Sequence, residues 1–266
     1  MFRFFVAPEQ IVGDHVTVTG EDVNHMKNVL RMKPGEKVRI SNGTDEDYFC
    51  TVKSLEDDEV VLHVDSRETS SIELPVRIYL FQGLPKSDKM ELIIQKAVEL
   101  GACSIVPVAM KRSVVKLDSK KAAAKVKRWN AIAESAAKQS GRMVIPQVQM
   151  PVTFEQAVEQ ASQLDYKLLP YENEEGMEGV RRILGELADA VKAAGQKDQI
   201  VKEKPVPALE PPEIGIFIGP EGGFEPSEVE LAEKDGWQKI SLGRRILRTE
   251  TAGMALLSVL VYLLEP

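Results

Sequence analysis

A glycine-rich segment follows an apolar run near the end of the chain. Ile216-Phe217-Ile218 leads into Gly219-Pro220-Glu221-Gly222-Gly223-Phe224, and Pro226 then opens a helical pattern. In an open parallel sheet, ligands bind beyond the carboxyl ends of the strands, and glycines let the backbone approach a ligand closely. The backbone amides of residues 219–223 could therefore hydrogen-bond a small molecule. An ordinary tight turn between a strand and a helix would use the same glycines, so glycine content alone leaves both interpretations open.

Three arginines follow the next strand signal, in the loop that begins Leu242-Gly243-Arg244-Arg245-Ile246-Leu247-Arg248. A very apolar helix comes directly after this loop. A helix N-terminus favours anions, so Arg248 should have a specific partner there, such as Glu221, Glu250 or a bound anion. Thr249 is the predicted cap of the helix.

A third segment, Leu168-Leu169-Pro170-Tyr171-Glu172, ends another predicted strand in the same way. Parallel strands end at one edge of a sheet, so these three loops together predict a single binding site.

Several reaction classes lack their motifs in this sequence. The chain has no Gly-x-Gly-x-x-Gly after its first strand, no Gly-x4-Gly-Lys-Ser/Thr, no Gly-x-Ser-x-Gly and no His-Glu-x-x-His. Dinucleotide oxidoreductases, P-loop NTPases, α/β hydrolases and zinc peptidases are therefore unfavoured. The three histidines, His15, His25 and His63, all precede residue 73, so a histidine triad or metal cluster cannot form in the rest of the chain. No metal site is expected.

The elements that position these loops form an α/β domain after Pro75. Apolar strand candidates alternate with helical patterns, which predicts a mainly parallel sheet. The strands are predicted at Val76–Phe81, Ser104–Val108, Val144–Val148, Tyr166–Leu169, Ile214–Ile218 and Gln238–Leu242. The helices are predicted from an Asp88 cap to Gly101 and over about Ser119 to Gln139. The stretch Gly195 to Glu213, with four prolines and no periodicity, is predicted to be an exposed, mobile loop.

The N-terminal segment has a different rhythm of short alternating strands separated by turn residues. Strands are predicted at Val16–Thr19, Lys37–Ile40, Tyr48–Val52 and Val60–Val64, and one helix at Asp22 to Met32. This pattern predicts a small β-barrel that ends near Arg67. We therefore expect two domains, residues 1–72 and 73–266.

Composition supports a water-soluble globular chain. Its 266 residues are 43% hydrophobic and 28% charged, which disfavours disordered and membrane classes. The longest apolar run, Ala252 to Leu264, is too short to span a bilayer, and the start lacks an export signal. Cys50 and Cys103 show neither disulfide nor zinc spacing, so a cytoplasmic location is expected.

The net charge of −7 is distributed unevenly along the chain. Residues 73–170 carry fifteen Lys and Arg against nine Asp and Glu, and ten of these basic residues lie between Lys111 and Arg142. A local positive field attracts phosphate backbones whatever the total charge is. The same run could also be an ordinary solvated helix face.

Taken together, the two late loops and several other motifs resemble the RsmE family of 16S rRNA uridine-N3 methyltransferases, in the SPOUT superfamily of trefoil-knotted methyltransferases. The other matching motifs are Arg3-Phe4-Phe5, His25 to Arg31, Leu84-Pro85-Lys86 with Lys89, Gln95-Lys96 with Glu99-Leu100-Gly101, Arg112-Ser113-Val114, and Glu134 with Gln139-Ser140-Gly141-Arg142. The main departure from the family is the stretch Gly195 to Glu213. The resemblance implies an N-terminal PUA-like barrel, a knotted C-terminal α/β domain, a homodimer and S-adenosylmethionine as the methyl donor.

On this interpretation, the three loops bind the cofactor and the basic regions bind RNA. The expected cofactor-binding residues are Leu169, Tyr171, Gly219, Pro220, Glu221, Gly222, Gly223, Leu242, Gly243, Ile246, Leu247 and Arg248. The expected RNA-binding residues are Arg3, Arg31, Lys33, Lys86, Lys89, Arg112, Lys116 and Arg142. Because the target base must be displayed singly or flipped out of its stack, the assembled small ribosomal subunit is a more plausible substrate than free RNA.

The uridine N3 proton must leave before or during methyl transfer. The α/β domain has no histidine, so the acceptor is either a carboxylate, Glu221 or Glu134, or solvent. In the second case Arg142 or Arg248 would stabilise the uridine anion.

Three other functions are consistent with parts of the sequence. A SPOUT enzyme could modify a different rRNA or tRNA nucleotide. A catalytically silent RNA-binding assembly factor would keep the basic surface, although the intact glycines argue against it. A phosphate-binding enzyme is disfavoured because Pro220 lacks an amide proton and Glu221 would repel an anion.

Overall fold

The computed structural model describes residues 1–43, 46–68, 72–174, 176–200 and 211–265. The chain forms two compact units. The first contains Met1–Glu73 and Ala137–Ile145, and the second contains Leu74–Ala136 and Pro146–Pro266. The segment Ala137–Ile145, which the sequence analysis placed in the second domain, is thus grouped with the first unit.

The first unit is built on a mixed six-stranded sheet that forms a half-barrel. Its strands are β1 (Phe2–Phe5), β2 (Ile11–Val12), β3 (His15–Thr19), β4 (Lys37–Ser41), β5 (Asp47–Leu55) and β6 (Glu59–Glu68). They lie in the order β1-β4-β5-β6-β3-β2, with a parallel β1–β4 pair and antiparallel neighbours elsewhere. The four predicted strands are present, whereas β1 was not predicted.

Alternation of apolar and polar residues places one face of this sheet over a core. Val16, Val18, Val38, Ile40 and Leu62 are at most 1% exposed, as a strand period of two requires. Met26 joins the same core from a helical segment. This segment is a short helix α1 (Glu21–Asn24) and a π-helical turn (His25–Val29), so the predicted helix ends earlier than Met32.

The second unit contains a sheet of seven strands in which every pair is parallel. Its strands are β7 (Arg77–Gly83), β8 (Ala102–Ala109), β9 (Gln147–Val148), β10 (Val152–Thr153), β11 (Tyr166–Pro170), β12 (Glu213–Ile218) and β13 (Gln238–Ile240). The order is β10-β8-β7-β12-β11-β13, and β9 pairs with β8. The predicted α/β class and parallel sheet are therefore confirmed.

Six helices accompany these strands in the described chain after residue 88. They are α2 (Lys89–Glu99), α3 (Ser119–Ser140), α4 (Phe154–Gln160), α5 (Glu178–Ile200), α6 (Pro226–Lys234) and α7 (Thr249–Leu264). The prediction of a loop from Gly195 is wrong for residues 195–200, which continue α5. No proline interrupts the chain there, so the helix can extend. Residues 201–210 of the predicted loop lie outside the described residues, and Glu213 begins β12.

Aromatic packing fixes the strands that carry the candidate site. The ring of Phe217, on β12, stacks on Phe154 with centroids 4.8 Å apart and meets Phe224 edge-on at 5.6 Å. Trp237 packs against the same Phe217 ring at 5.2 Å. Since β12, β11 and β13 are neighbours, their carboxyl ends and the loops that follow them lie at one edge of the sheet.

No helix in the described parts of the chain is both long enough and apolar enough to cross a bilayer.

Candidate cofactor site

A cavity of about 370 Å³ lies beyond the carboxyl ends of β11, β12 and β13. Three loops and the beginning of α7 line it, with one lysine from α2. The lining residues are Lys89, Pro170, Tyr171, Glu172, Ile218, Gly219, Pro220, Glu221, Gly223, Phe224, Ser241, Leu242, Gly243, Arg244, Arg245, Ile246, Leu247, Arg248, Thr249 and Ala252.

The structure brings together ten of the twelve predicted cofactor-binding residues at this cavity. The other two are Leu169 and Gly222. Leu169 is completely buried in the core beneath the sheet edge. Gly222 faces another segment, because a Cβ atom at this position would lie 3.0 Å from the Cβ of Arg112. Both residues therefore support the loops without lining the cavity.

The glycine loop, residues 219–223, is held tightly at both ends. The Gly223 amide donates to the Pro220 carbonyl at 2.9 Å, and Gly223 has a φ of 69°. Phe224, at the end of the loop, is only 5% exposed and packs into the aromatic core. Below the loop, a Cβ atom on Gly83 would lie 2.6 Å from Pro220 Cδ, so only glycine fits there. The loop is therefore pre-shaped by its own packing.

The second loop, residues 242–248, presents a mixed apolar and cationic surface. Gly243 has a φ of 107°, a conformation that side chains with a Cβ rarely adopt. Ile246 is 82% exposed, although it belongs to the cavity lining. An exposed apolar side chain beside a cavity is available to contact an apolar ligand.

Thr249 connects the two loops and does not cap α7. Its hydroxyl donates to the Gly219 carbonyl at 2.6 Å and accepts from Gln82 Nε2 at 2.9 Å. The N-cap residue is Arg248, whose side chain makes no capping bond. The predicted cap was wrong because the hydroxyl has these two buried partners from distant strands, which the local sequence could not indicate.

Lys89 bridges two carboxylates at the cavity. Its Nζ lies 3.2 Å from Glu221 Oε1 and 3.1 Å from Glu250 Oε2. Glu221 also accepts a hydrogen bond from the Lys86 amide at 3.1 Å. The predicted partners of Arg248 were Glu221, Glu250 or a bound anion. Lys89 forms the ion pairs with both glutamates, and Arg248 acts on Glu250 through its charge. The role predicted for Lys89, RNA binding, had given no reason to expect it here.

These contacts alter the acidity of both glutamates. Burial opposes the ionisation of Glu221, but hydrogen bonds from its own amide and from the Lys86 amide, together with the Lys89 ammonium, outweigh burial and lower its pKa. The pKa of Glu250 is lowered in the same way, since burial is outweighed by its own amide, by Lys89 and by the charge of Arg248. The Lys89 pKa is raised, chiefly by its hydrogen bonds to Glu250 and Glu221. All three groups are charged at neutral pH.

The four predicted catalytic residues lie in different surroundings. Glu221 and the exposed Arg248 line the cavity. Glu134 is half-buried on α3. Arg142 belongs to the first unit, is 5% exposed, and donates from Nε to Glu73 at 2.7 Å. Of the four, only Glu221 and Arg248 belong to the lining of this cavity, among the residues described.

The predicted RNA-binding residues also divide by environment. Arg3 is 8% exposed, pairs with the buried Asp47 at 2.5 Å and donates to the carbonyls of Gly141 and Arg142. This burial argues against a phosphate contact by Arg3, because its guanidinium is already engaged inside the unit. Arg112 donates to Glu225 at 2.8 Å and to the Gly222 carbonyl at 3.1 Å, and so braces the glycine loop. The remaining exposed residues are Arg31, Lys33, Lys86 and Lys116.

The cavity combines backbone groups, apolar walls, carboxylates and cations. Within the described residues, no group of three or more His, Cys, Asp and Glu side chains is placed to hold a metal ion. Such a lining suits an organic ligand that carries both apolar and charged parts.

Comparison with known proteins agrees with this architecture. Residues 72–261 match a family model described as an RNA methyltransferase domain, and residues 18–65 match one described as an RNA methyltransferase PUA domain. The chain is 38% identical to ribosomal RNA small subunit methyltransferase E of Bacillus subtilis, over 94% of this chain and 90% of that protein. The corresponding protein of Synechocystis is 31% identical, over 99% of this chain and 78% of its own length.

A solved structure covers nearly the whole chain. It is the ribosomal RNA small subunit methyltransferase E of Neisseria gonorrhoeae bound to S-adenosyl methionine. The two chains are 29% identical with a TM-score of 0.80, and the match covers 99% of this chain and 98% of that one.

Proposed function

Because the chain belongs to the ribosomal RNA small subunit methyltransferase E family, we propose that it methylates N3 of a uridine in 16S rRNA of the small ribosomal subunit. The donor is S-adenosylmethionine, as in the related Neisseria structure. The observation that carries the proposal is the cavity itself, where the glycine loop, the loop 242–248 and Tyr171 converge.

The lining of the cavity fits the chemical parts of this cofactor. Ile246, Leu247 and Tyr171 offer apolar surface for the adenine ring, and the glycine loop offers backbone groups at close approach. Three exposed arginines in the lining, Arg244, Arg245 and Arg248, offer cations suited to the carboxylate of the methionine part. Glu221 places a carboxylate in the lining of the cavity, and its ion pair with Lys89 fixes the position of that carboxylate in the glycine loop.

When bound, the cofactor supplies an electrophilic methyl group on a positively charged sulfur. Displacement at that carbon is in line, so most of the acceleration comes from alignment and proximity. The packing of Phe224 and the Thr249 bridge keep the two loops in a fixed arrangement and so contribute this alignment. No large catalytic cluster is needed for such a reaction.

We propose that the uridine N3 proton leaves to solvent and that Arg248 stabilises the resulting anion. The lowered pKa of Glu221 makes its carboxylate a weak base, and a general base works best when its pKa lies near the working pH. Arg248 lines the cavity and is exposed, so its guanidinium can contact the uridine that approaches the bound S-adenosylmethionine. Glu134 and Arg142 remain alternative predictions for the same step.

We propose that basic residues of helix α3, and of the segment directly before it, bind RNA phosphates. Lys116, Lys120, Lys121 and Lys127 are exposed. Contacts of this kind position the RNA without reading its sequence, so shape must select the target. An assembled small subunit supplies such a shape and can display the target base unpaired.

We also propose a homodimer that forms through α7. Its exposed side includes Thr251, Ser258, Val259 and Tyr262 at helical spacing, with Val259 43% and Tyr262 85% exposed. A helix face that exposes apolar side chains such as Val259 and Tyr262 fits a second copy of the chain. We further propose that the second unit contains the trefoil knot that the family resemblance implies. We also propose a cytoplasmic location, which suits the two free cysteines.

The test is transfer of labelled methyl from S-adenosylmethionine to unmodified small subunits, with free 16S rRNA and large subunits alongside. Digestion to nucleosides then identifies the methylated atom. We expect label in 3-methyluridine from small subunits. Label in another nucleoside would refute the uridine-N3 assignment. Label in large subunits alone would refute the small subunit as the substrate.

A further inference from the structure

One carboxylate in the lining of the cofactor cavity takes no part in the ion pairs described above. Two glutamates belong to that lining, and Glu221 pairs with Lys89 at 3.2 Å. The other, Glu172, is exposed, and its carboxylate forms no ion pair or hydrogen bond with any residue that the structure describes. Its negative charge is therefore available to a bound ligand.

A turn directly after β11 presents Glu172 to the cavity. The Glu174 amide donates to the Tyr171 carbonyl at 3.1 Å, and Asn173 Nδ2 donates to the Tyr171 hydroxyl at 3.1 Å. Glu172 is thus a central residue of a four-residue turn. The Tyr171 amide in turn donates to the Ile240 carbonyl at 3.0 Å, which fixes the turn to the end of β13.

The Glu172 carboxylate also lies close to the end of the glycine loop. A Cβ atom at Gly223 would be 3.5 Å from Glu172 Oε1 and 3.9 Å from Oε2. The turn is therefore close to the glycine loop on one side and bonded to the strand that precedes the loop 242–248 on the other. These are the two loops proposed to hold S-adenosylmethionine.

The charges that remain in the lining match those of an α-amino acid. Apart from the Lys89–Glu221 pair, the lining contains Glu172 and three exposed arginines, Arg244, Arg245 and Arg248. The methionine part of S-adenosylmethionine carries a carboxylate and an ammonium group. Arginine binds carboxylates but has only donors, so it cannot accept a hydrogen bond from an ammonium group. Glu172 is the charged acceptor left for that group.

We propose that Glu172 binds the ammonium group of the methionine part of S-adenosylmethionine. This inference rests on the proposed function, since it assumes that the cavity holds this cofactor. A carboxylate and an ammonium group form a charge-assisted hydrogen bond, which is stronger than one between neutral groups. S-adenosylhomocysteine, the product of methyl transfer, keeps the same ammonium group. Glu172 therefore contributes to binding of both molecules and does not act on the transferred methyl group.

The main test is Glu172→Gln, which keeps the size of the side chain and removes its charge. Isothermal titration calorimetry should show an affinity for S-adenosylmethionine about tenfold weaker, the size of one hydrogen bond to a charged group. S-adenosylhomocysteine should weaken by the same factor. Methylthioadenosine, which lacks the amino-acid part, should bind equally well to the variant and the wild type.

Decarboxylated S-adenosylmethionine separates a direct contact from one made through an arginine. This ligand keeps the ammonium group and has no carboxylate, so Glu172→Gln should weaken its binding about tenfold as well. An unchanged affinity would mean that Glu172 only orients an arginine toward the cofactor carboxylate. Weaker binding of methylthioadenosine would place the Glu172 carboxylate at the ribose hydroxyls. A loss seen with S-adenosylmethionine but not with S-adenosylhomocysteine would place it at the sulfonium. Each of these three results would overturn the proposal.

Glu174→Gln is the matched control. Glu174 lies in the same turn, two positions after Glu172, and is not part of the lining. This variant removes the same charge and should keep wild-type affinity for all of these ligands. An equal loss in both variants would show a general effect of charge and would also overturn the proposal.

The failure of this inference is distinct from the failure of the proposed function. Wild-type protein that binds S-adenosylmethionine, together with a Glu172→Gln variant that binds it equally well, would exclude only the role of Glu172. Wild-type protein that does not bind S-adenosylmethionine would contradict the proposed function itself.

Discussion

Gly83→Ala should damage the cofactor site although Gly83 is not in its lining. Gly83 is the last residue of β7 and lies directly below the glycine loop. A Cβ atom there would be 2.6 Å from Pro220 Cδ, 2.7 Å from Pro220 N and 2.7 Å from Met110 Sδ. Favourable contacts between such atoms are about 3.5 to 4.0 Å, so the overlap is about 1 Å. The backbone of the loop must therefore move by a similar distance.

The size of the effect follows from the cost of overpacking. Inserting a methyl group into a packed site typically costs about 1 to 3 kcal/mol. If that cost falls on the bound conformation of the loop, S-adenosylmethionine affinity falls by roughly 5- to 150-fold, since 1.4 kcal/mol corresponds to a factor of ten. Isothermal titration calorimetry with the purified chain measures the affinity directly.

Gly185→Ala is the matched control. Gly185 lies within α5, and a Cβ atom there meets nothing within 4 Å. This variant should keep wild-type affinity and gain up to about 1 kcal/mol of stability from helix propensity. A Gly83→Ala protein that binds S-adenosylmethionine with wild-type affinity would refute the claim that Gly83 lets the glycine loop reach its binding position.

Three further predictions concern charges at the cavity. Lys89→Met should weaken S-adenosylmethionine binding a few-fold in calorimetry, because Glu221 and Glu250 lose their shared partner; unchanged binding would contradict this. Arg248→Ala should lower turnover about a hundredfold in the methyl-transfer assay, with Arg248→Lys retaining part of it; full turnover in Arg248→Lys would exclude the anion-stabilising role. Because the Glu250 pKa lies below its usual 4.5, its ion pair stabilises the fold above that pH and is lost as the pH falls through the lowered pKa. The melting-temperature difference between wild type and Glu250→Gln should therefore be constant between about pH 6 and pH 8 and shrink below pH 4.5, and a difference that grows on acidification would refute the sign.

The sequence predicted the sheet of the second unit well because hydrophobic runs and their alternation with helices are local signals. The rule that parallel strands end at one edge then placed Tyr171, Gly219 and Gly243 together, and the structure brings them to one cavity. Strand β1 was missed because the four residues Phe2-Arg3-Phe4-Phe5 are too few to show a clear alternation.

The missed features depend on contacts between residues that are distant in the chain. Lys89 reaches Glu221 and Glu250 from α2, and Gln82 meets Thr249 across 167 positions. Gly83 is explained by Pro220 and Met110, which approach it from other segments of the chain. Local propensity contains no information about such pairs, so the sequence analysis assigned other roles to Lys89 and Thr249 and none to Gln82 or Gly83.

A crystal structure of the chain grown with S-adenosylmethionine tests the central claim most directly. The account predicts the cofactor in the cavity beyond β11, β12 and β13, in contact with residues 219–223 and 242–248. Its methyl group should face open space beside Arg248, where a uridine can enter. Cofactor density at any other place, or a methyl group enclosed by protein on every side, would contradict the account.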